Sequence, residues 1–109
     1  MPRAATTADV FNAIAESRRR QIVDLLARRG VLAVGALVAA LGLSQPAVSK
    51  HLGVLHEVGI VSVTRDGRQR LYRLEPAELK RVYEWVSKFE CLWTHQLDRI
   101  KERAERRAK

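Results

Sequence analysis

The chain has 109 residues, the size of one domain with a single modest core, and its 20 Lys and Arg against 12 Asp and Glu leave a net charge of +8. Such an excess suits a polyanionic partner, nucleic acid or an anionic lipid surface. A single cysteine, Cys91, excludes an intrachain disulfide and a zinc site built from several thiolates of one chain, and it fits a reducing cytosol. The opening MPRAATTADV carries one Arg with no apolar run behind it, unlike a secretory signal peptide, so a cytoplasmic location is expected.

In chain order, Val10, Phe11, Ile14 and Ala15 form one apolar face ahead of a polar break at Glu16 and Ser17, which predicts a short first helix. A second helix is predicted over 18–29, with Ile22, Val23, Leu25 and Leu26 inward, Arg18, Arg19, Arg28 and Arg29 outward, and Gly30 as its stop. Leu37, Val38 and Leu41 mark a third helix over 34–41 that ends at Gly42. Ser44 then stands as the N-cap of a fourth, Pro46 fits its first turn, and Val48, Leu52 and Leu55 repeat at helical spacing until about Val58. Residues 60–65 and 68–74, separated by Asp66-Gly67, predict a two-stranded ribbon. Pro76 restarts a helix, and Leu79, Val82, Val86, Phe89, Trp93, Leu97 and Ile100 recur at intervals of three or four residues. That seam is longer than one small domain needs. The expected organisation is one domain over 1–109: a core at 8–78 with its wing at 60–74, and one long helix at 76–106 for dimerisation.

Within this charged chain, 20 consecutive residues from Gly30 to Ser49 carry no charge. The strongly apolar part, Gly30 to Leu43, is too short for a bilayer helix, which needs roughly 20 apolar residues, so no membrane contact is expected. Two short helices joined by a Gly-containing turn, the second capped by Ser, are the helix-turn-helix plan. The third helix is uncharged because it packs inside, and the first turns of the fourth are uncharged because acids there would repel phosphate. Val48, Leu52 and Leu55 fix the inner face of the fourth helix and leave Gln45, Pro46, Ser49, Lys50 and Gly53 outward. Gln45 can bond an adenine edge, Ser49 bases or phosphate, Lys50 phosphate or guanine, and His51 phosphate. The ribbon holds Arg65, Arg68, Arg70 and Arg73 against Asp66 alone, a net +3 suited to phosphate or a minor groove, while Tyr72 and Leu74 are expected to pack inward.

Three segments together carry a resemblance: IAESRRRQIVDLLARRG, then LSQPAVSKHLGVLHEVGIVSVTRDGRQRLYRL, then EWVSKFECLWTHQLDRI. They resemble the ArsR-type winged-helix repressors, in the branch without metal ligands, over about residues 9 to 100. The S-Q-x-x-V-S-x-H-L segment combined with the R-x-G-R-x-x-x-Y-x-L wing is the specific part. The resemblance implies a mainly α winged helix-turn-helix with a two-stranded β wing and a homodimer built on the first and last helices. It further implies repression through double-stranded DNA, with the fourth helix of each subunit in successive major grooves. Position by position it marks Ser44, Gln45, Ser49, Lys50 and His51, with Pro46 beside them, and Arg65, Arg68 and Arg70 on the wing. The dimer interface is expected at Val10, Phe11, Ile14, Leu79, Val82, Val86, Phe89, Trp93 and Leu97. Two departures stand out. Gly35-Ala36-Leu37-Val38 lacks the usual acid before the Leu and Ala after it, and the paired cysteines of metal-sensing members are missing from the third helix.

Cys91 and His95, four apart with Asp98 a turn further on, could face their counterparts across a dimer as a metal- or thiol-responsive set. They serve equally as packing residues, and the Asp-x-His pattern of other metal-sensing members has no match. His56 is expected to be merely exposed. Trp85 and Trp93 fit a core better than a pocket between subunits. No phosphate-cradling glycine loop, paired carboxylates or nucleophile with a placed base points to catalysis, so neither an enzyme nor a cofactor is expected. Two other readings use the same residues. A sequence-tolerant DNA-coating protein would need only the arginines, and a protein-interaction dimer would need only the last helix.

Overall fold

The structure, a computed structural model, describes residues 9–108. The expected boundaries at residues 1, 8 and 109 lie outside that range. Helix α1 (Val10–Ala15) starts at Asp9, whose carboxylate accepts from the Asn12 N–H at 2.7 Å. Helix α2 (Ser17–Arg29) follows at once, because Glu16 breaks the first helix and caps the second by accepting from the Arg18 N–H at 3.0 Å. Helix α3 (Val34–Leu41) matches the expected span and is ended by Gly42, whose φ of 68° is cheap only for glycine. Helix α4 (Gln45–Glu57) begins where expected: the Ser44 hydroxyl accepts from the Ala47 N–H at 3.2 Å, and Pro46 sits in the first turn.

Ile22, Leu25 and Leu26 of α2, Leu37 of α3, and Val48, Leu52 and Leu55 of α4 meet in one buried cluster. Ile60, Val61 and Tyr72 close it from the sheet side, and Val10 and Ala13 add the inner face of α1. No buried polar side-chain atom among the described residues lacks a hydrogen-bond partner.

The expected two-stranded ribbon is a three-stranded antiparallel sheet in the order β1-β3-β2. Strand β1 (Leu32–Ala33) lies between α2 and α3, with Leu32 opposite Tyr72 and Ala33 opposite Leu71. Two residues show no alternation, so only the tertiary pairing reveals this strand. Strands β2 (Val61–Asp66) and β3 (Gln69–Leu74) form the wing. Its turn falls one residue later than expected. Asp66 pairs with Gln69, so Gly67 and Arg68 form the two-residue loop, and Gly67 supplies the positive φ of 65° that its first position needs.

The single long helix expected over 76–106 is divided. A 3₁₀ turn (Pro76–Glu78) leads into α5 (Leu79–Ser87), and α6 (Glu90–Ala108) begins after a break at Lys88 and Phe89. There the Ser87 hydroxyl donates to the Glu84 carbonyl at 2.9 Å, while the Lys88 and Phe89 N–H groups bond to Trp85 and Val86, three residues back. A hydroxyl bonding back onto a helical carbonyl competes with the ladder and bends it, and three-residue bonds tighten the final turn. The break separates the apolar seam into two parts. Leu79 and Val82 of α5 pack on the core, whereas Phe89 and the whole described face of α6 beyond it are exposed.

Helix α6 therefore projects. Nineteen residues span roughly 28 Å at 1.5 Å each, and the chain extends 65 × 36 × 21 Å with a radius of gyration of 18.7 Å. A compact chain of about this length has a radius near 13 Å. No helix among the described residues is long and apolar enough to cross a membrane.

Candidate nucleic-acid interface

Outside the core, α4 presents Gln45, Ser49, Gly53 and His56 at intervals of 4, 4 and 3 residues, a single helical stripe. This stripe forms one wall of an open groove of about 760 Å³. Val63, Arg68, Gln69, Arg70 and Tyr72 of the wing form the facing wall, and residues 33–36 at the start of α3 close the end. The sheet fixes this spacing, since β1 ties the entry of α3 to the inner edge of β3 while β3 carries the wing outward.

The groove brings together five expected residues, Gln45, Ser49, Gly53, Arg68 and Arg70. Pro46 and Lys50 are exposed on α4 beside it. Ser44 has a structural task, its hydroxyl being engaged by Ala47. His51 turns toward α2 instead: its Nδ1 lies 3.5 Å from the Arg19 guanidinium. Partial burial first, and then the adjacent Arg19 charge, hold the imidazole below its usual pKa, against the opposing pull of Glu16. Glu16 itself is held below the ordinary carboxylate value chiefly by the Arg18 N–H that it caps.

Two polar groove residues, His56 and Gln69, escape the sequence reading. His56 is expected to be merely exposed, although its place three residues after Gly53 puts it on the Gln45 stripe. Gln69 follows the turn directly, and only the one-residue shift of that turn reveals its position. At Gly35 and Gly53, both helical, an added Cβ would meet nothing within 4 Å, so internal packing does not require either glycine.

The charge arrangement on the wing is informative. Arg65 and Arg70 stand directly opposite one another across the β2–β3 pair, a like-charge pairing that costs stability. Arg68 adds a third cation at the tip, and among the described residues these three form no ion pair. Arg73 differs, pairing with Glu75 at 3.7 Å, where Glu75 also accepts from the Ser62 hydroxyl at 2.7 Å. Three unneutralised arginines and the polar outer stripe of α4, across an open groove, suit a polyanion that carries readable edges.

A second surface is apolar. Phe11 of α1 meets Trp85 of α5 edge to face at 6.0 Å, and Trp85 meets Phe89 at 5.3 Å. Trp85 is 51% and Trp93 48% exposed, so neither belongs to the core of the protomer, contrary to expectation. Leu92, Leu97 and Ile100 extend the exposed strip along α6. Val10, expected at a dimer interface, is only 3% exposed and is a core residue, because a six-residue helix wedged between α2 and α5 buries one apolar side within its own protomer. Cys91, His95 and Asp98 are exposed on α6, and among the described residues no three His, Cys, Asp or Glu side chains gather as a metal site.

A helix-turn-helix with a basic hairpin wing beside its second helix defines the winged helix-turn-helix class of DNA-binding proteins. Residues 16–63 match the family model of the bacterial regulatory proteins of the arsR family. The chain is 40% identical over 87 residues to the HTH-type transcriptional regulator Rv2034 of Mycobacterium tuberculosis, covering 80% of this chain and 78% of that protein. It is 43% identical over 77 residues to the arsenic resistance transcriptional regulator ArsR1 of Pseudomonas putida, covering 71% of this chain and 57% of that protein. Among solved structures, the homodimeric winged helix-turn-helix DNA-binding domain of Mb0332 from Mycobacterium bovis aligns with a TM-score of 0.61 at 34% identity, covering 74% of each chain. The protein belongs to the ArsR family of transcriptional regulators.

Proposed function

We propose that the protein is a homodimeric repressor that reads an imperfect palindrome, with half-sites about one helical turn apart. The observation that carries this is the groove between α4 and the wing, where Gln45 and Ser49 face Arg68 and Arg70. The arginines supply sequence-independent attraction to phosphate, and the polar stripe of α4 supplies discrimination. Dimerisation uses Phe11, Trp85, Phe89, Trp93 and Leu97, the exposed strip that runs from α1 along α5 and α6. Ile14, Leu79, Val82 and Val86 border this strip as half-buried residues. That the similar Mb0332 domain is homodimeric supports self-association as such.

Selection from random DNA duplexes at about 150 mM salt, where nonspecific attraction is partly screened, tests the reading. A two-fold symmetric motif is expected. Retention without a motif would instead indicate a DNA-coating protein. On the selected operator, Gln45→Ala should lose on the order of 1–3 kcal/mol at one base position of each half-site and little on other sequences. A uniform loss on every duplex would remove Gln45 from base reading.

Gly53→Ala separates folding from binding. In an exposed helix interior the change should stabilise the fold by about 0.5–1 kcal/mol, seen as a raised Tm. The added methyl projects where a base edge must approach, so operator affinity should fall even as Tm rises. Unchanged affinity would place the DNA away from Gly53.

A further inference from the structure

Arg19 joins three helices. Its Nε donates to the Ala13 carbonyl at 2.6 Å and its Nη2 to the Asn12 carbonyl at 3.3 Å, covering carbonyls near the end of α1. From its place on α2 it also presents Nη1 to Nδ1 of His51 on α4, at 3.5 Å. A guanidinium has donors only, so Nδ1 is the acceptor and the imidazole proton resides on Nε2. The neighbouring Arg20 covers different carbonyls, those of Ile14 and Ala15, at 2.7 and 3.1 Å. The end of α1 is thus capped by Arg20 as well, and the contact to α4 is what sets Arg19 apart.

The two ends of this connection matter for different reasons. Helix α1 carries Phe11, which rests on Trp85 in the apolar strip. Helix α4 carries the groove stripe, and His51 lies between Ser49 and Gly53 in that helix, on the flank turned toward α2. Arg19 therefore connects the end of α1 to the middle of α4.

We propose that Arg19 is a positioning residue for DNA recognition: it fixes His51 as an uncharged Nε2–H donor and sets the angle of α4 relative to α1 and the dimer strip. The assignment rests on the reading of α4 as the recognition helix. An uncharged imidazole offers DNA a hydrogen-bond donor without adding charge to the salt dependence of binding. The charged groups around the ring are Arg18 and Arg19 of α2, Glu16 just before α2, and Lys50 on α4. Burial and Arg19 are the two largest influences against protonation, so removing Arg19 leaves the first and relieves the second.

The test is ring-nitrogen NMR of His51 in the full-length protein, combined with affinity for the operator selected by the unaltered chain. The unaltered protein should show an Nε2–H tautomer that titrates below the ordinary histidine range. Arg19→Gln should raise the midpoint, mix the tautomers and weaken operator binding roughly 5- to 50-fold, with the dimerisation constant unchanged. His51→Asn places an amide oxygen near the position of Nδ1 and should retain more affinity than His51→Ala. Combining Arg19→Gln with His51→Ala should cost no more than the worse single change, the mark of two groups acting through one contact. An unaltered His51 signal in Arg19→Gln, or operator affinity changed by less than about twofold, overturns the assignment. If the unaltered chain selects no motif while the His51 signal still responds to Arg19, the DNA reading has failed, and the proposal falls with it for that separate reason.

Discussion

Trp93→Asp is expected to weaken self-association by at least about 100-fold, roughly 2.7 kcal/mol, as read by sedimentation across micromolar concentrations. Trp93 lies about midway along the exposed strip, between Phe89 and Leu97, and is 48% exposed, while Leu97 is 64% exposed. A contiguous apolar strip of this extent on an isolated helix is unfavourable in water, and a buried tryptophan is among the side chains that contribute most to an interface. A carboxylate at that position would have to be desolvated without a partner. Because Trp93 lies outside the described core, the protomer should remain folded, with its helical circular dichroism largely kept. Operator affinity should collapse with the dimer, since each half-site is then bound alone and the second contact no longer benefits from high effective concentration. A variant that still sediments as a dimer would place the interface elsewhere.

Leu52→Ala is expected to destabilise the protein by about 2–5 kcal/mol, measured by urea unfolding at one fixed protein concentration. Leu52 is fully buried in the cluster where α2, α3 and α4 meet the sheet. Its loss removes transfer free energy and leaves a cavity that three helices and a sheet cannot easily close. Against a typical domain stability of about 5–15 kcal/mol this is a large fraction. At temperatures where the variant still folds, its DNA specificity should be retained, because Leu52 shapes the core side of α4 while Gln45 and Ser49 occupy the other. A cost below about 1 kcal/mol would mean that the cluster is looser than its burial indicates.

The helix-turn-helix is legible in the sequence because it depends on local chemistry. Ser44, Pro46 and Gly42 mark their boundaries within one or two residues, and the spacing of Val48, Leu52 and Leu55 fixes the inner face of α4. The wing is legible for the same reason, through the β-branched residues of its first strand and the glycine turn that follows, although the expected turn falls one residue early. Much of the candidate interface follows, since the outer face of α4 is what the inner face leaves over. His56 escapes notice when it is treated singly instead of as the continuation of the stripe through Gly53.

What stays hidden depends on partners distant in the chain. Strand β1 is two residues long and exists only because β3 offers it an unpaired edge. The break after Ser87, where the Lys88 and Phe89 N–H groups bond three residues back, leaves the apolar spacing intact. Val10 and Phe11 are equally apolar neighbours, yet one is buried in the core and the other stays partly exposed against Trp85 of α5. Arg19 reads as a surface cation until the fold brings the end of α1 and His51 to its two sides. By itself, then, the sequence determined where α2, α3 and α4 begin and end, which side of α2 and α4 is inward, and the excess of positive charge, all of which arise from neighbours a few residues apart. Only the tertiary structure decided which apolar surfaces remain uncovered, which strand completes the sheet, and which arginine holds the recognition helix, because each depends on groups brought together by packing across the whole chain.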